Sequence, residues 1–392
     1  MIIRGAKVYR NHEFTQQDLY VEGERIVSAF EPDIAKPEGD PLQKECKAQD
    51  RIIDAGGLYA IPGLIDLHLH GVRNADLCDG TRDALDVMTA YEAQNGILAI
   101  CPAVMTLAPR QVEEIVAMAA DYPKAAAHAD LVGIRLEGPF LSHEKCGAQN
   151  KDHLLAPNGK WLEKLLLKSR GRLRMVDLAP ELEGAIKLIE DYRDRVVFSL
   201  AHSVCDYETA RQAFDKGMTH VTHLYNAMPG ISHRAPGPVI AAWEKGAMVE
   251  LICDGIHVDP AMVRFTFQLF GKDRVILISD SMRGCGLEDG TYDLGGQQVT
   301  VTDKRAVLTE HPDTIAGSVT NLYQCMKIAH QQMGVKLEDV IQAATENPAR
   351  VLGIQKDYGF LTPGHLANVL LVDEELQLRG ILQRGVWRRM DF

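Results

Sequence analysis

The sequence predicts an α/β protein built as a (β/α)8, TIM-like barrel, on three observations. Eight short apolar stretches recur through the middle of the chain. Amphipathic segments separate them, and several end in a histidine, glutamate or aspartate. Strands alternating with helices pair in parallel through right-handed crossovers, and eight such units close into a barrel. In that fold the C-terminal ends of all the strands surround one mouth, so residues far apart in sequence converge there.

The opening residues read as short strands: Ile2-Ile3, Lys7-Val8-Tyr9 and Leu19-Tyr20-Val21, then a turn at Glu22-Gly23-Glu24 and Ile26-Val27. The end reads likewise, over 368–372, 378–382 and Val386-Trp387. Strand-like ends around a β/α middle predict a small β-sandwich domain from residues 1–57 and 357–392, and a catalytic barrel over 58–356. Barrel strands are expected at 59–65, 97–102, 131–136, 173–178, 196–201, 218–222, 249–253 and 275–279. Helices are expected at 82–94, 109–120, 207–215 and 260–270. A long excursion, 282–317, follows the eighth strand and carries a hairpin signal at 293–297, in a position where lids occur.

Composition excludes several classes. A net charge of −12 over 392 residues argues against a nucleic-acid partner, which calls for a basic face. No apolar run is long enough to span a bilayer, and Met1-Ile2-Ile3-Arg4-Gly5 lacks a signal-peptide core, so a cytoplasmic protein is expected. The eight cysteines, Cys46, Cys78, Cys101, Cys146, Cys205, Cys253, Cys285 and Cys325, are scattered and form no CxxC pair. GxGxxG at a strand-to-helix turn, GxxxxGK[ST] and GxSxG are all missing.

The polar strand ends carry the chemistry. The first stretch ends Asp66-Leu67-His68-Leu69-His70, the third Leu136-Glu137-Gly138-Pro139, the fifth Ala201-His202-Ser203 and the sixth Thr222-His223-Leu224-Tyr225-Asn226. After the seventh comes Asp254-Gly255-Ile256-His257, and the eighth ends Ser279-Asp280-Ser281. His68 and His70 are two apart, so on an extended chain they point the same way. Two imidazoles beside a carboxylate suit Zn²⁺ or another divalent transition ion. Asp280 follows a strand buried on both faces, so it must meet a metal or hydrogen-bond donors, or serve as a turn or cap residue. His220 is assigned to packing or solvent. His12, His128, His153, His311, His330 and His365 read as surface residues, with His143 and His233 as minor candidates on mouth-side loops.

These motifs resemble the N-acetylglucosamine-6-phosphate deacetylase family of the amidohydrolase superfamily, over nearly the whole chain. The most specific pieces are Leu136-Glu137-Gly138-Pro139-Phe140, Thr222-His223-Leu224-Tyr225-Asn226-Ala227-Met228, Asp254-Gly255-Ile256-His257-Val258-Asp259 and Ala316-Gly317-Ser318. The resemblance implies that Glu137, His202 and His223 are the principal metal ligands, with His68 and His70 available for a second ion. It implies Asp280 as the catalytic acid/base. Substrate contacts are implied for Gln149, Asn226, Ala227, His257 and Ile315, and for Arg234 reaching the phosphate from a neighbouring subunit of a homodimer. Gln149 stands where many relatives carry histidine. The implied cofactor is a divalent metal, zinc first and iron, manganese or cobalt as alternatives, at one or two ions per subunit. The implied substrate is a small amino-sugar phosphate, with no nucleic-acid or membrane partner. Deacetylation of the galactosamine epimer, and an amidohydrolase acting on a non-phosphorylated amide, stay open as alternatives.

Overall fold

The computed structural model describes residues 1–30 and 51–391, so Cys46 and part of the 1–57 segment lie outside the described residues. All eight apolar stretches contain a paired strand. Seven consecutive steps form one parallel sheet: Ala103–Val104, Ile134–Leu136, Leu173–Leu178, Val197–Leu200, His220–Val221, Met248–Ile252 and Val275–Ile278. A second parallel sheet joins Leu64–Asp66, Ile97–Ile100 and Asp130–Leu131. Backbone bonds tie the two sheets. Asp280 N–H donates to His68 O at 2.9 Å and Ala103 N–H to Leu69 O at 2.8 Å.

The helices form where amphipathic stretches meet good caps. Thr81 caps Arg82–Gln94 by accepting from Ala84 N–H, and Asp206 caps Tyr207–Lys216 by accepting from Thr209 N–H. Asp259 caps Pro260–Phe270, whose first-turn proline has no amide to leave unpaired. Leu85 and Met88 from one helix, Ile115 and Val116 from Pro109–Ala120, and Ala210 and Phe214 from Tyr207–Lys216 bury their apolar faces in a single large core. Inside the sheet, Ile65, Leu67, Ala99, Met175, Ile252, Ile276 and Ile278 pack together, as expected of strands covered on both sides.

The chain ends pair in one mixed sheet. Val369–Val372 lies against Tyr59–Pro62, which lies against Ile2–Arg10, followed outward by Glu13–Glu22 and Arg25–Phe30. Two expected strands need correcting, since 131–136 also divides, with Asp130–Leu131 in the second parallel sheet and Ile134–Leu136 in the first. The stretch 59–65 is divided at Gly63: Tyr59–Pro62 belongs to the terminal sheet, and only Leu64–Asp66 enters the parallel one. Gly63 sits so close to Leu98 that an added Cβ would lie 2.6 Å from its Cδ1, so the crossover between sheets has room only for glycine. The hairpin expected at 293–297 is present, as Gly290–Leu294 against Gln297–Thr302, and Arg305–Leu308 adds a third strand. Among the described residues no helix is long and apolar enough to cross a membrane.

Candidate active site and metal centre

His70, Glu137, His202, His223 and Asp280 line one cavity of about 900 Å³, and fully buried His68 reaches the same carboxylate. Each comes from the C-terminal end of a different parallel strand, except His68 and His70, which share the segment after Leu64–Asp66. Three of these residues hold left-handed backbone that non-glycine residues rarely adopt: His202 at φ 45°, His223 at φ 29° and Asp280 at φ 49°. Such conformations cost on the order of 1–3 kcal/mol each and cluster at functional sites.

Glu137 is the hub. Its Oε1 lies 3.0 Å from His202 Nε2 and 3.1 Å from His223 Nε2, and those two nitrogens are 3.2 Å apart. Its Oε2 lies 3.2 Å from His70 Nε2 and 3.6 Å from His68 Nε2. Asp280 Oδ1 closes the second group, 3.0 Å from His70 Nε2. His202 Nδ1 is 2.8 Å from Lys145 O, which can only accept, so Nδ1 carries a proton and, when the ring is neutral, Nε2 is a lone pair. A lone pair aimed at a carboxylate oxygen is repulsive unless a cation lies between them. The spacings also match the edge of a tetrahedron with metal bonds of about 2.0–2.1 Å, roughly 3.3 Å. His68–His70–Glu137 and Glu137–His202–His223 are therefore two groups that could each hold a metal ion, with Glu137 common to both. Among the described residues buried His68 Nε2 has no hydrogen-bond partner, which fits a ligand role better than a structural one.

The charges follow from this crowding. Burial pushes the Glu137 carboxyl up, but the charges of His68 and His70 and the hydrogen bonds from His202 and His223 outweigh it and hold the group well below its ordinary value. Burial and Arg135 push His68 down, yet Glu137 and Glu250 raise it to about 9. Asp280 behaves like Glu137: burial raises it, and the His70 hydrogen bond with the His68 and His70 charges brings it below the usual carboxylate value.

The residues expected on the substrate side divide. Gln149, Asn226, Ala227, His257 and Ile315 all line the cavity. Gln149 is also tied inward. Its Nε2 donates to Glu137 Oε2 at 3.0 Å, and its Oε1 accepts from Thr106 N–H at 2.7 Å, so it braces the hub. His257 Nδ1 is held by Asp254 Oδ2 at 2.7 Å, which leaves Nε2 as the ring's remaining polar atom. Arg234 is exposed, on the turn where Ser232 bridges Ala235, and does not line the cavity of its own subunit. His311, read from sequence as a surface residue, stands with Asp313 in the cavity wall. The hairpin segment carries it there, and no local signal in the sequence marks it. His220, assigned to packing or solvent, is fully buried and bonds Glu250.

A carboxylate shared by two pairs of histidines, at the strand ends of a curled parallel sheet, defines a metal-site hydrolase of the amidohydrolase class. The amidohydrolase family matches residues 59–385, and the chain belongs to it, within the N-acetylglucosamine-6-phosphate deacetylase family. The N-acetylglucosamine-6-phosphate deacetylase of Bacillus subtilis (strain 168) is 32% identical, over 88% of this chain and 87% of its own. The N-acetylgalactosamine-6-phosphate deacetylase of Escherichia coli O157:H7 is also 32% identical, over 83% of this chain and 86% of its own. Among solved structures, a mutant N-acetyl-D-glucosamine-6-phosphate deacetylase from Mycobacterium smegmatis, in complex with N-acetyl-D-glucosamine-6-phosphate, superposes with a TM-score of 0.90 at 30% identity, covering 100% of this chain and 99% of its own.

Proposed function

We propose that this chain hydrolyses the acetamido group of N-acetylglucosamine 6-phosphate, giving glucosamine 6-phosphate and acetate. The observation that carries this reading is Asp280, a buried carboxylate facing the Glu137–histidine hub at the floor of a cavity lined by Asn226, Ala227 and His257. We read the two parallel sheets as one closed (β/α)8 barrel. The supporting observation is the backbone contact between the first strand's extension at His68 and the last strand's at Asp280. The division into a terminal β domain, 1–57 with 357–392, and a catalytic unit, 58–356, goes with that reading.

Glu137, His202 and His223 would hold a divalent ion, zinc first, and His68 and His70 with Glu137 a second. Such an ion, when bound, polarises the amide carbonyl and makes water a stronger acid. Asp280, kept ionised by its neighbours, accepts the proton of the attacking water as the acetyl carbon is approached. It then returns that proton to the departing amine nitrogen, so one group serves as base and then as acid. The Asp254 carboxylate favours the charged His257 ring, and in that form Nε2 is placed to donate to the oxygen on which charge develops. Asn226 and Ala227 receive the phosphate end of the substrate, and contact there orients the acetamido group over Asp280.

The active form is a homodimer in this reading, with Arg234 pairing the phosphate in the neighbouring site. Supporting it, Arg234 is exposed close in sequence to Ile231, which lines a shallow apolar depression with Met262, Phe265 and His257. The protein is assigned to the cytoplasm. The galactosamine epimer is a second reading, favoured by the equal identity of the Escherichia coli relative. Comparing kcat/KM for the two epimers tests the assignment, with the glucosamine form expected to be the better substrate. A clear preference for the galactosamine form contradicts it.

A further inference from the structure

Beneath the ligands, the interior of the parallel sheet is not apolar. Arg135, Asp177, Ser199, His220, Thr222 and Glu250 are fully buried there, on five neighbouring strand segments. Arg135 donates to Glu250 Oε1 at 2.5 Å, to Asp177 Oδ1 at 2.6 Å and to Thr222 Oγ1 at 2.9 Å. Packing alone does not call for these charges, because apolar residues of similar volume in place of a buried ion pair are often neutral or stabilising.

Glu250 is the member that touches the metal ligands. Its Oε2 lies 3.2 Å from His68 Nδ1 and accepts from His223 N–H at 3.3 Å. Its Oε1 is taken by Arg135 and by His220 Nε2 at 2.9 Å. A carboxylate only accepts, so His68 carries a proton on Nδ1, and Nε2 is the nitrogen left to give a lone pair to an ion. The other three imidazoles differ. His202 Nδ1 meets the neutral carbonyl of Lys145, while His70 Nδ1 and His223 Nδ1 have no hydrogen-bond partner among the described residues. His68 is thus the one ligand imidazole whose outer nitrogen meets a carboxylate, the arrangement that fixes the tautomer and raises ligand basicity.

We propose that Glu250, clamped by Arg135, is a positioning residue that holds His68 in its Nδ1–H tautomer and so makes His68–His70–Glu137 an ion site separable from Glu137–His202–His223. The proposal rests on the metal-centre reading above. Its test is Zn²⁺ binding by equilibrium dialysis to the metal-stripped full chain, for the wild type and Glu250→Gln. It is paired with nitrogen NMR of histidine-labelled wild type in its zinc form. The wild type should take two equivalents. Glu250→Gln should keep one at full affinity and weaken the other by about 10–100-fold. The wild-type spectrum should place the His68 proton on Nδ1, a result that does not depend on the variant folding. Two unchanged equivalents in Glu250→Gln, a single equivalent in the wild type, or a His68 proton on Nε2 overturns the proposal. No zinc binding by the wild type refutes the metal-centre reading instead, and the proposal with it.

Discussion

Asp280 Oδ1 lies 3.0 Å from His70 Nε2, although the two residues come from opposite ends of the parallel-strand series. The contact joins the proposed proton carrier to the proposed ion site and separates two functions that mutagenesis can test apart. Asp280→Asn keeps the shape and removes the basic oxygen. Metal content should stay at the wild-type level while kcat falls by about 10²–10⁴, the usual share of a general acid–base group. Measured by metal analysis beside steady-state rates, near-normal kcat with full metal would remove Asp280 from the chemistry.

Glu137 should behave in the opposite way. Its two oxygens serve all four histidines, so Glu137→Ala leaves neither triad complete. The purified variant is expected to hold less than a tenth of the wild-type zinc, a loss at or beyond about 10-fold in affinity. Unchanged zinc occupancy would show that the ligands lie elsewhere.

The pH dependence of metal binding has a fixed sign. In the metal-free protein, His68 is raised from its ordinary 6.5 to about 9. A group raised in this way contributes stability fully below pH 6.5 and loses it as pH rises through about 9, so this contribution to apo-protein stability declines across that window. Ion binding needs the same imidazole neutral, so it must expel a proton, and apparent affinity should climb over the same range. Calorimetric titration with zinc near neutral pH, in buffers of different ionisation enthalpy, should register the release of about one proton or more. Binding without proton release would contradict the assignment of His68 as a ligand.

Arg234 gives a test of the dimer. Losing a charged bidentate contact of about 1.5–3 kcal/mol should raise KM for the phosphorylated sugar by roughly 10–100-fold in Arg234→Ala. The unphosphorylated sugar should be unaffected. If the arginine acts in the neighbouring site, coexpressing Arg234→Ala with Asp280→Asn subunits restores one complete site per mixed dimer. Activity in the mixture no higher than in either variant alone would show that Arg234 does not act across subunits.

Much of this was legible because strand ends in a β/α barrel are chemically informative. His70, Glu137, His202, His223 and Asp280 each follow an apolar run, and the run makes a polar residue conspicuous. The helices expected from 82 and from 260 start there, with Thr81 and Asp259 capping them. The bracing layer was not legible. Arg135, Asp177 and Glu250 sit inside short strands, where a single polar residue reads as an outward position until the strands pair and bring their side chains together. Two other features depend on tertiary placement: the Lys145 carbonyl that fixes His202, and the hairpin that carries His311 into the cavity. The division of 59–65 between two sheets was hidden because both halves are equally apolar.

Metal-dependent deacetylation of a phosphorylated amino sugar is read out by acetate release from N-acetylglucosamine 6-phosphate, run beside unphosphorylated N-acetylglucosamine, with and without chelator. Rapid release from the phosphate ester is expected, with little from the free sugar and a loss on chelation that added zinc reverses. Release that survives complete metal removal, or no release from the phosphate ester by zinc-loaded protein, would contradict it.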